Sequence, residues 1–361
     1  LEVKELDVAY GKKQIVFDVD FSLEESQIGC LLGPSGCGKT TVLRAIAGFE
    51  KPTKGEIILN RQKLNSSKNF VEPEKRKIGM VFQDIALFPH LTVIENIQFG
   101  IFSWPRSKRY KRSHELMELV GMSQFKNTYP HHLSGGQQQR IALARAMAPK
   151  PSLLLMDEPF SSLDLELREQ LAREVRLILK KEKISAILVT HDQNEAFAMG
   201  DQICVMNQGR VQQIDSAYNL YHSPENRFVA EFIGDSTLLP GVVSNAGTIT
   251  TDLGEIMGPL PEFCNQKDNV EVLIRPENVI VAYTNENQAI IKARYFRGSG
   301  FLYTLKTSGG VELLCLLQGT EGLKIDQSIG VRLQIERPVV FKKTSFSASR
   351  LDPLILQPQD Y

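Results

Sequence analysis

Gly33-Pro34-Ser35-Gly36-Cys37-Gly38-Lys39-Thr40 is the stretch from which the rest of the chain can be read. It fits G-x-x-x-x-G-K-[ST] at every position. The apolar run Ile28-Gly29-Cys30-Leu31-Leu32 precedes it, and Thr41-Val42-Leu43-Arg44-Ala45-Ile46-Ala47, a helical pattern stopped by Gly48, follows it. The glycines let the backbone wrap a phosphate chain with its N–H groups turned inward, and a helix starting near Lys39 adds unpaired donors and a positive dipole end. Lys39 is expected to reach the β- and γ-phosphates of a nucleotide, and the Thr40 hydroxyl to ligate Mg2+. The bland alternative is a glycine-rich turn with an incidental lysine; the strand before and the helix after argue against it.

Such a loop needs a second element to hold the metal and a base. Leu153-Leu154-Leu155-Met156 reads as a buried strand that ends in Asp157 and Glu158. Asp157 is placed to bind Mg2+ through water, and Glu158, on the opposite side of the backbone, to orient and deprotonate an attacking water. Alone, an Asp-Glu pair is more simply a solvated strand end; the loop upstream turns the balance.

Further out, short apolar runs such as Ala186 to Thr190 alternate with helical periodicity, which predicts an α/β domain with a largely parallel sheet. The pattern is mostly helical from about 85 to 150, which predicts an inserted helical subdomain. From about 236 onward the β-like runs Val270 to Ile274, Ile290 to Ala293, Leu302 to Leu305, Leu313 to Leu317 and Val331 to Ile335 are punctuated by Gly, Asn and Pro. They predict a small all-β, barrel-like domain over 236–361 after an α/β domain over 1–235. A length of 361 residues also favours two domains, since single cores rarely grow past roughly 250–300 residues.

The 42 basic and 42 acidic side chains cancel, so no global charge draws the chain to nucleic acid or to an anionic membrane. No apolar stretch approaches the roughly 18–20 residues of a spanning helix, and charged residues interrupt the first segment where a secretory signal would stand; a soluble chain is expected, with a trimmed terminus suggested by the missing initiator Met. The five cysteines (Cys30, Cys37, Cys204, Cys264, Cys315) show no paired spacing, which speaks against a disulfide framework or a zinc site. Cys37, inside the phosphate loop, is expected to give a check: a bulky thiol reagent there would block ATP binding, and ATP would protect. The basic cluster Arg106, Lys108, Arg109, Lys111 and Arg112 reads as a solvated helix face, with lipid headgroup contact a distant alternative.

Leu133-Ser134-Gly135-Gly136-Gln137 extends the reading. Ser134 is a plausible N-cap with Gln137 as its capping-box partner, and Gln138 to Ala148 a good helix ended by Pro149 and Pro151. This is a second helix N-terminus fit for phosphate. One nucleotide gains little from two such sites on one chain, but two chains can share them. The segment matches the signature of ABC ATPases, and Leu133 to Met147 resembles that of bacterial import ATPases.

That resemblance, to a P-loop NTPase of the ABC ATPase type, implies roles for further residues. Gln83 resembles the Q-loop glutamine that links Mg2+ and the γ-phosphate to a membrane partner. Ser162-Leu163-Asp164 resembles the D-loop that crosses a dimer interface, and His191 the switch histidine that contacts the γ-phosphate. Tyr10 resembles the aromatic that stacks on adenine. Singly each would be surface or core; their order and spacing around two motifs carry the resemblance. It implies a homodimer closing head to tail on ATP, with Gly33 to Thr41 of one copy facing Ser134 to Gln137 of the other. It further implies integral membrane permease subunits docking near Gln83 and Ile85 to Ile97, a periplasmic solute-binding protein acting indirectly, and a place on the cytoplasmic face of the bacterial inner membrane. No nucleic-acid partner is implied.

Within the importers, Leu273-Ile274-Arg275-Pro276-Glu277 resembles the TOBE-type regulatory domain of the maltose, sulfate, spermidine and ferric-iron group. Ser66-Ser67-Lys68, Arg76-Lys77-Ile78-Gly79, Asp84 to Val93, the linker Trp104 to Arg112 and Leu238-Leu239-Pro240-Gly241 look most similar to the ferric-iron importers. Importers of spermidine, sulfate or a sugar stay open as alternatives. A DNA-repair or translation ABC ATPase would usually carry two nucleotide domains or a long coiled-coil insertion, and neither pattern appears. Intact Lys39, Asp157, Glu158 and His191 argue against a scaffold with a dead site.

Overall fold

The computed structural model describes residues 1–65, 70–244, 247–282, 287–319 and 322–343; the stretch Ser66-Ser67-Lys68 lies outside the described residues. The chain divides into two units, Leu1–Gly234 and Asp235–Tyr361.

The first unit opens with strands β1 (Glu2–Tyr10) and β2 (Lys13–Ser22), followed by β3 (Ile28–Leu32) and helix α1 (Lys39–Ala47). Strands β4 (Lys54–Leu59), β5 (Gln62–Lys63) and β6 (Ile78–Val81) come next, then helices α2 (Val93–Phe99), α3 (Arg106–Leu119) and α4 (Gly135–Met147). The unit closes with β7 (Leu153–Asp157), α5 (Leu165–Glu182), β8 (Ala186–Thr190), α6 (Gln193–Met199), β9 (Gln202–Asn207), β10 (Arg210–Asp215), α7 (Ala217–His222) and α8 (Arg227–Phe232).

Two sheets result. One is antiparallel in the order β2-β1-β4-β5; the other has the order β10-β9-β3-β8-β7-β6, parallel from β9 to β6 with β10 antiparallel at one edge. The parallel strands are apolar throughout because both faces are covered. Along β7, Leu154 and Met156 join one core with α2 to α6, while Leu153 and Leu155 join a second core with α1 and the antiparallel sheet. The period-2 alternation of a strand thus becomes a division between two cores. The register sets the ends of three strands level, with Leu32 beside Thr190 and Asp157 beside Val189. In a parallel sheet, the loops after those carboxyl ends form the natural ligand crevice.

In the second unit, β11 (Thr237–Val243), β12 (Ile249–Thr251), β13 (Gly254–Ile256), β14 (Asn269–Ile274), β15 (Val279–Ala282), β16 (Gln288–Phe296), β17 (Gly300–Thr307), β18 (Glu312–Gln318), β19 (Ser328–Leu333) and β20 (Val340–Lys342) form two antiparallel sheets. Their orders are β13-β12-β11-β14-β20 and β15-β19-β16-β17-β18. Leu239, Val272 and Ile274 of the first share one core with Ile291, Tyr303 and Leu305 of the second. Arg275 is buried and donates through Nη1 to the Asp235 carbonyl at 3.2 Å, so its turn shapes this unit. Among the described residues, no helix is long and apolar enough to cross a membrane.

Candidate nucleotide-hydrolysis site

The loop after β3 takes its shape from its glycines. Gly38 precedes α1 with φ 104°, and a Cβ on Gly33 would lie 2.2 Å from the Met206 carbonyl oxygen. A side chain at either position would strain or displace the turn. Lys39 is buried and crosses back over the loop, donating from Nζ to the Gly33 carbonyl at 2.7 Å and the Pro34 carbonyl at 3.0 Å. Its ammonium is thereby held against the inner side of the turn. Thr40, next along, donates its hydroxyl to Asp157 Oδ1 at 2.9 Å, across 117 residues of sequence.

Asp157 ends β7, and burial pushes its carboxyl up, opposed by the Thr40 hydrogen bond and reinforced by the charge of Glu158. Hard oxygen donors set side by side, one a carboxylate raised by burial and a like charge, are what a divalent cation would stabilise. Thr40 and Asp157 therefore fit Mg2+. Glu158 follows with φ 43°, an uncommon conformation outside glycine, and its backbone N–H donates to the Val189 carbonyl at 2.9 Å. From there Glu158 Oε2 lies 3.1 Å from His191 Nδ1, at the end of the neighbouring β8. Parallel pairing of β3, β8 and β7 brings Lys39, Thr40, Asp157, Glu158 and His191 to one crevice.

Tyr10, Gln83, Asp164 and Ser134 to Gln137 share no hydrogen bond with those five among the described residues. Tyr10 is exposed at the tip of the β1–β2 hairpin, whose Val16 and Ile15 abut Gly38. Gln83 is exposed beyond the end of β6. Asp164 caps α5, accepting from the Leu167 N–H at 3.0 Å. Ser134 caps α4 in a full capping box, its Oγ accepting from the Gln137 N–H at 3.3 Å while the Ser134 N–H donates to Gln137 Oε1 at 2.9 Å. Ser35, Gly36 and Thr41 lie in the loop and the first turn of α1.

The structure adds reasons that residue types could not supply. A Cβ on Gly136 would meet Leu171 at 3.2 Å and Leu167 at 3.3 Å, so this glycine also serves the packing of α4 on α5. Arg145 of α4 donates to the carbonyls of Ala86 at 2.6 Å and Ile85 at 3.2 Å, tying down the segment after Gln83. No motif flags it.

Two expectations need correction. Cys37 is 4 % exposed, packed in the core behind the loop, and burial pushes its thiol up. A bulky reagent would have to displace the loop to reach it, so ready labelling of the folded chain is not expected. Arg112 is not on the solvated face of α3: it is buried, donating to the Met147 carbonyl at 3.2 Å and pairing with Glu182 at 3.0 Å. Arg106, Lys108 and Lys111 are exposed as expected.

Comparison with known proteins identifies the family and the fold. The family model for ABC transporters matches residues 16–161 and that for the TOBE domain residues 272–341. A relative from Haemophilus influenzae, the Fe(3+) ions import ATP-binding protein FbpC 2, is 43% identical over 80% of this chain and 81% of its own length. The spermidine/putrescine import ATP-binding protein PotA of Roseobacter denitrificans is 38% identical over 97% of each chain. Among solved structures, the dimeric post-hydrolysis state of the ATP-binding cassette MJ0796 with ADP and Pi has a TM-score of 0.52 at 32% identity, covering 60% of this chain and 97% of that one. The cbiO1 subunit from Clostridium perfringens has a TM-score of 0.56 at 27% identity over 60% of this chain and 87% of its own.

Proposed function

The chain belongs to the ABC transporter family as an import-type ATPase with a TOBE domain, and from that premise we propose that Glu158 is its catalytic base and that two copies hydrolyse ATP between them. One observation carries the reading: the Thr40–Asp157 contact at 2.9 Å and the Glu158–His191 contact at 3.1 Å stand in the crevice that holds Lys39. Lys39 and the loop N–H groups from Gly33 to Thr41 bind the phosphates. Thr40 and Asp157, with Gln83, would hold Mg2+, which supplies neutralisation of the phosphate charge. Glu158 takes the proton of the attacking water, and His191 contacts the γ-phosphate and orients Glu158 through Nδ1. Tyr10 stacks on adenine.

Ser134 to Gln137 completes the site from a second copy. In its own chain the capping box takes up the Ser134 and Gln137 N–H groups, and the Gly135 and Gly136 N–H groups of the same helix end meet a γ-phosphate presented by a partner, with Asp164 close to the shared interface. Closure on ATP and opening after hydrolysis drive membrane permease subunits that dock near Gln83 and Ile85 to Ile97, at the cytoplasmic face of the membrane. A periplasmic protein delivers the solute.

Ferric ion is the cargo we propose, supported by the likeness to the Haemophilus influenzae iron proteins. Spermidine or putrescine is the second reading, favoured by the PotA relative that aligns over nearly the full chain. Uptake of labelled ferric ion and of labelled spermidine after deletion separates the two: loss of the polyamine alone would overturn the iron assignment.

Glu158→Gln keeps the shape and removes the base. ATP binding should persist while turnover falls roughly 10²-fold or more. Near-normal turnover would remove Glu158 from its role.

A further inference from the structure

Arg168, in the first turn of α5, has its guanidinium divided between two loops. Nη2 donates to the carbonyls of Leu163 at 3.0 Å and Ser161 at 3.4 Å. Nη1 donates to Asp192 Oδ2 at 3.1 Å, and Nε lies 3.5 Å from Glu195 Oε1.

Both ends lead to the hydrolysis site. Ser161 lies three residues after Glu158 in the turn that follows β7, with its Oγ donating to the Glu158 carbonyl at 2.9 Å. On the other side, Asp192 follows His191 and caps α6, accepting from the Asn194 N–H at 2.7 Å. Glu195 accepts the Thr190 hydroxyl at 2.5 Å, and the same hydroxyl oxygen accepts from the Asp192 N–H at 3.0 Å. His191 is thus fixed through both its neighbours by a network whose cation is Arg168.

We propose that Arg168 is a positioning residue for hydrolysis, which locks the 161–164 loop to the 190–192 loop so that displacement of the first is carried to the Glu158–His191 pair. The inference rests on the roles given above to Glu158 and His191. It assigns Arg168 no contact with the nucleotide.

The arrangement needs arginine. A planar guanidinium can give two carbonyls one nitrogen, Nη2, and a carboxylate another, Nη1, while its charge stays beside Glu195, whereas an ammonium is a point charge that must choose. Charge balance is a separate task. Glu195 is buried, and burial pushes its carboxyl up, with the Thr190 hydroxyl, Arg168 and His191 opposing and Asp192 adding to the rise. Lysine at 168 would still balance Asp192 and Glu195 but would release the carbonyls of Ser161 and Leu163. Arg168→Lys therefore separates coupling from mere stabilisation.

The test uses the full chain, with steady-state ATP hydrolysis over a range of ATP and thermal unfolding of the same preparations. Arg168→Lys should keep the unfolding midpoint and a KM within about twofold, while kcat falls about tenfold, as expected when catalytic groups are slightly misplaced. Arg168→Met should lower both kcat and the midpoint. Wild-type kcat in Arg168→Lys, a loss confined to KM, or a loss matched by a fall in midpoint would each overturn the proposal. Glu158→Gln is run beside them. If it abolishes turnover while Arg168→Lys is fully active, the coupling alone fails; if it retains turnover, the site assignment fails and the coupling with it.

Discussion

Replacing Arg76 by Met should loosen the helix that carries the phosphate loop. Arg76 is 3 % exposed, and its partners are carbonyls: Nε donates to Val71 at 2.7 Å, and Nη1 to Ala45 and Ile46 in the last turn of α1, each at 2.8 Å. Three hydrogen bonds to a charged group are worth about 1.5–3 kcal/mol each, and a cation at a helix C-terminus adds about 0.3–1 kcal/mol. Against this stands desolvation, which pushes the guanidinium down to about 10, and Nη2 is buried without a hydrogen-bond partner among the described residues. Met fills much of the volume and removes the buried charge but leaves the Ile46 carbonyl without the arginine and the Ala45 carbonyl with only the Gly48 N–H at 3.2 Å. The net loss should be about 2–4 kcal/mol, or roughly 4–16 °C in unfolding midpoint. Scanning calorimetry of both proteins measures it. ATP titration should show a raised KM, because the same helix presents Lys39 and Thr40 at its other end. A midpoint shift under about 1 °C would refute the reasoning, since the hydrogen bonds would then only balance the cost of desolvation.

Two further outcomes follow from burial and charge. Asp201 accepts from Lys180 at 2.5 Å, Arg176 at 2.7 Å and the Ile28 N–H at 2.8 Å; burial pushes its carboxyl up, but these bonds outweigh it and leave it below its ordinary value. A depressed carboxylate contributes stability above its unfolded pKa of about 3.9 and loses it as pH falls through the lower folded value. Asp201→Asn should therefore cost about 2–3 kcal/mol at pH 7, with the gap to wild type closing below about pH 4; urea unfolding at several pH values measures it, and a constant gap would contradict the assignment. Among the thiols, Cys264 is half-buried while Cys30, Cys37, Cys204 and Cys315 are buried. Mass spectrometry after brief treatment with a thiol reagent should find Cys264 modified first, and Cys37 untouched with or without ATP. Early, ATP-sensitive labelling of Cys37 would mean that the loop opens more readily than its packing implies.

Much of the site is legible in the sequence because its chemistry is local. The loop Gly33 to Thr40, the acid pair at the end of an apolar run and the Ser134–Gln137 capping box each depend on residues within a few positions of one another, where residue type and spacing suffice. The same holds for strands 28–32 and 153–157, whose unbroken apolar character announces burial on both faces. Cys37 and Arg112 misled for one reason. Residue type says what a side chain can do, but only packing says whether it faces solvent.

A glycine-rich loop of phosphate-binding pattern, a strand-end acid pair and a capped helix end are each written in a short segment, and residue order alone predicts them. The sequence did not determine the strand order β3-β8-β7, since an alternation of strands and helices is compatible with several orders. That order, fixed by the pairing of Leu32 with Thr190 and of Asp157 with Val189, sets Thr40 on Asp157 and Glu158 on His191. It also gives Arg168 two loops to bridge and Gly136 a leucine-lined wall to meet. These contacts join residues far apart in sequence, and their energies depend on distances that only the folded chain sets.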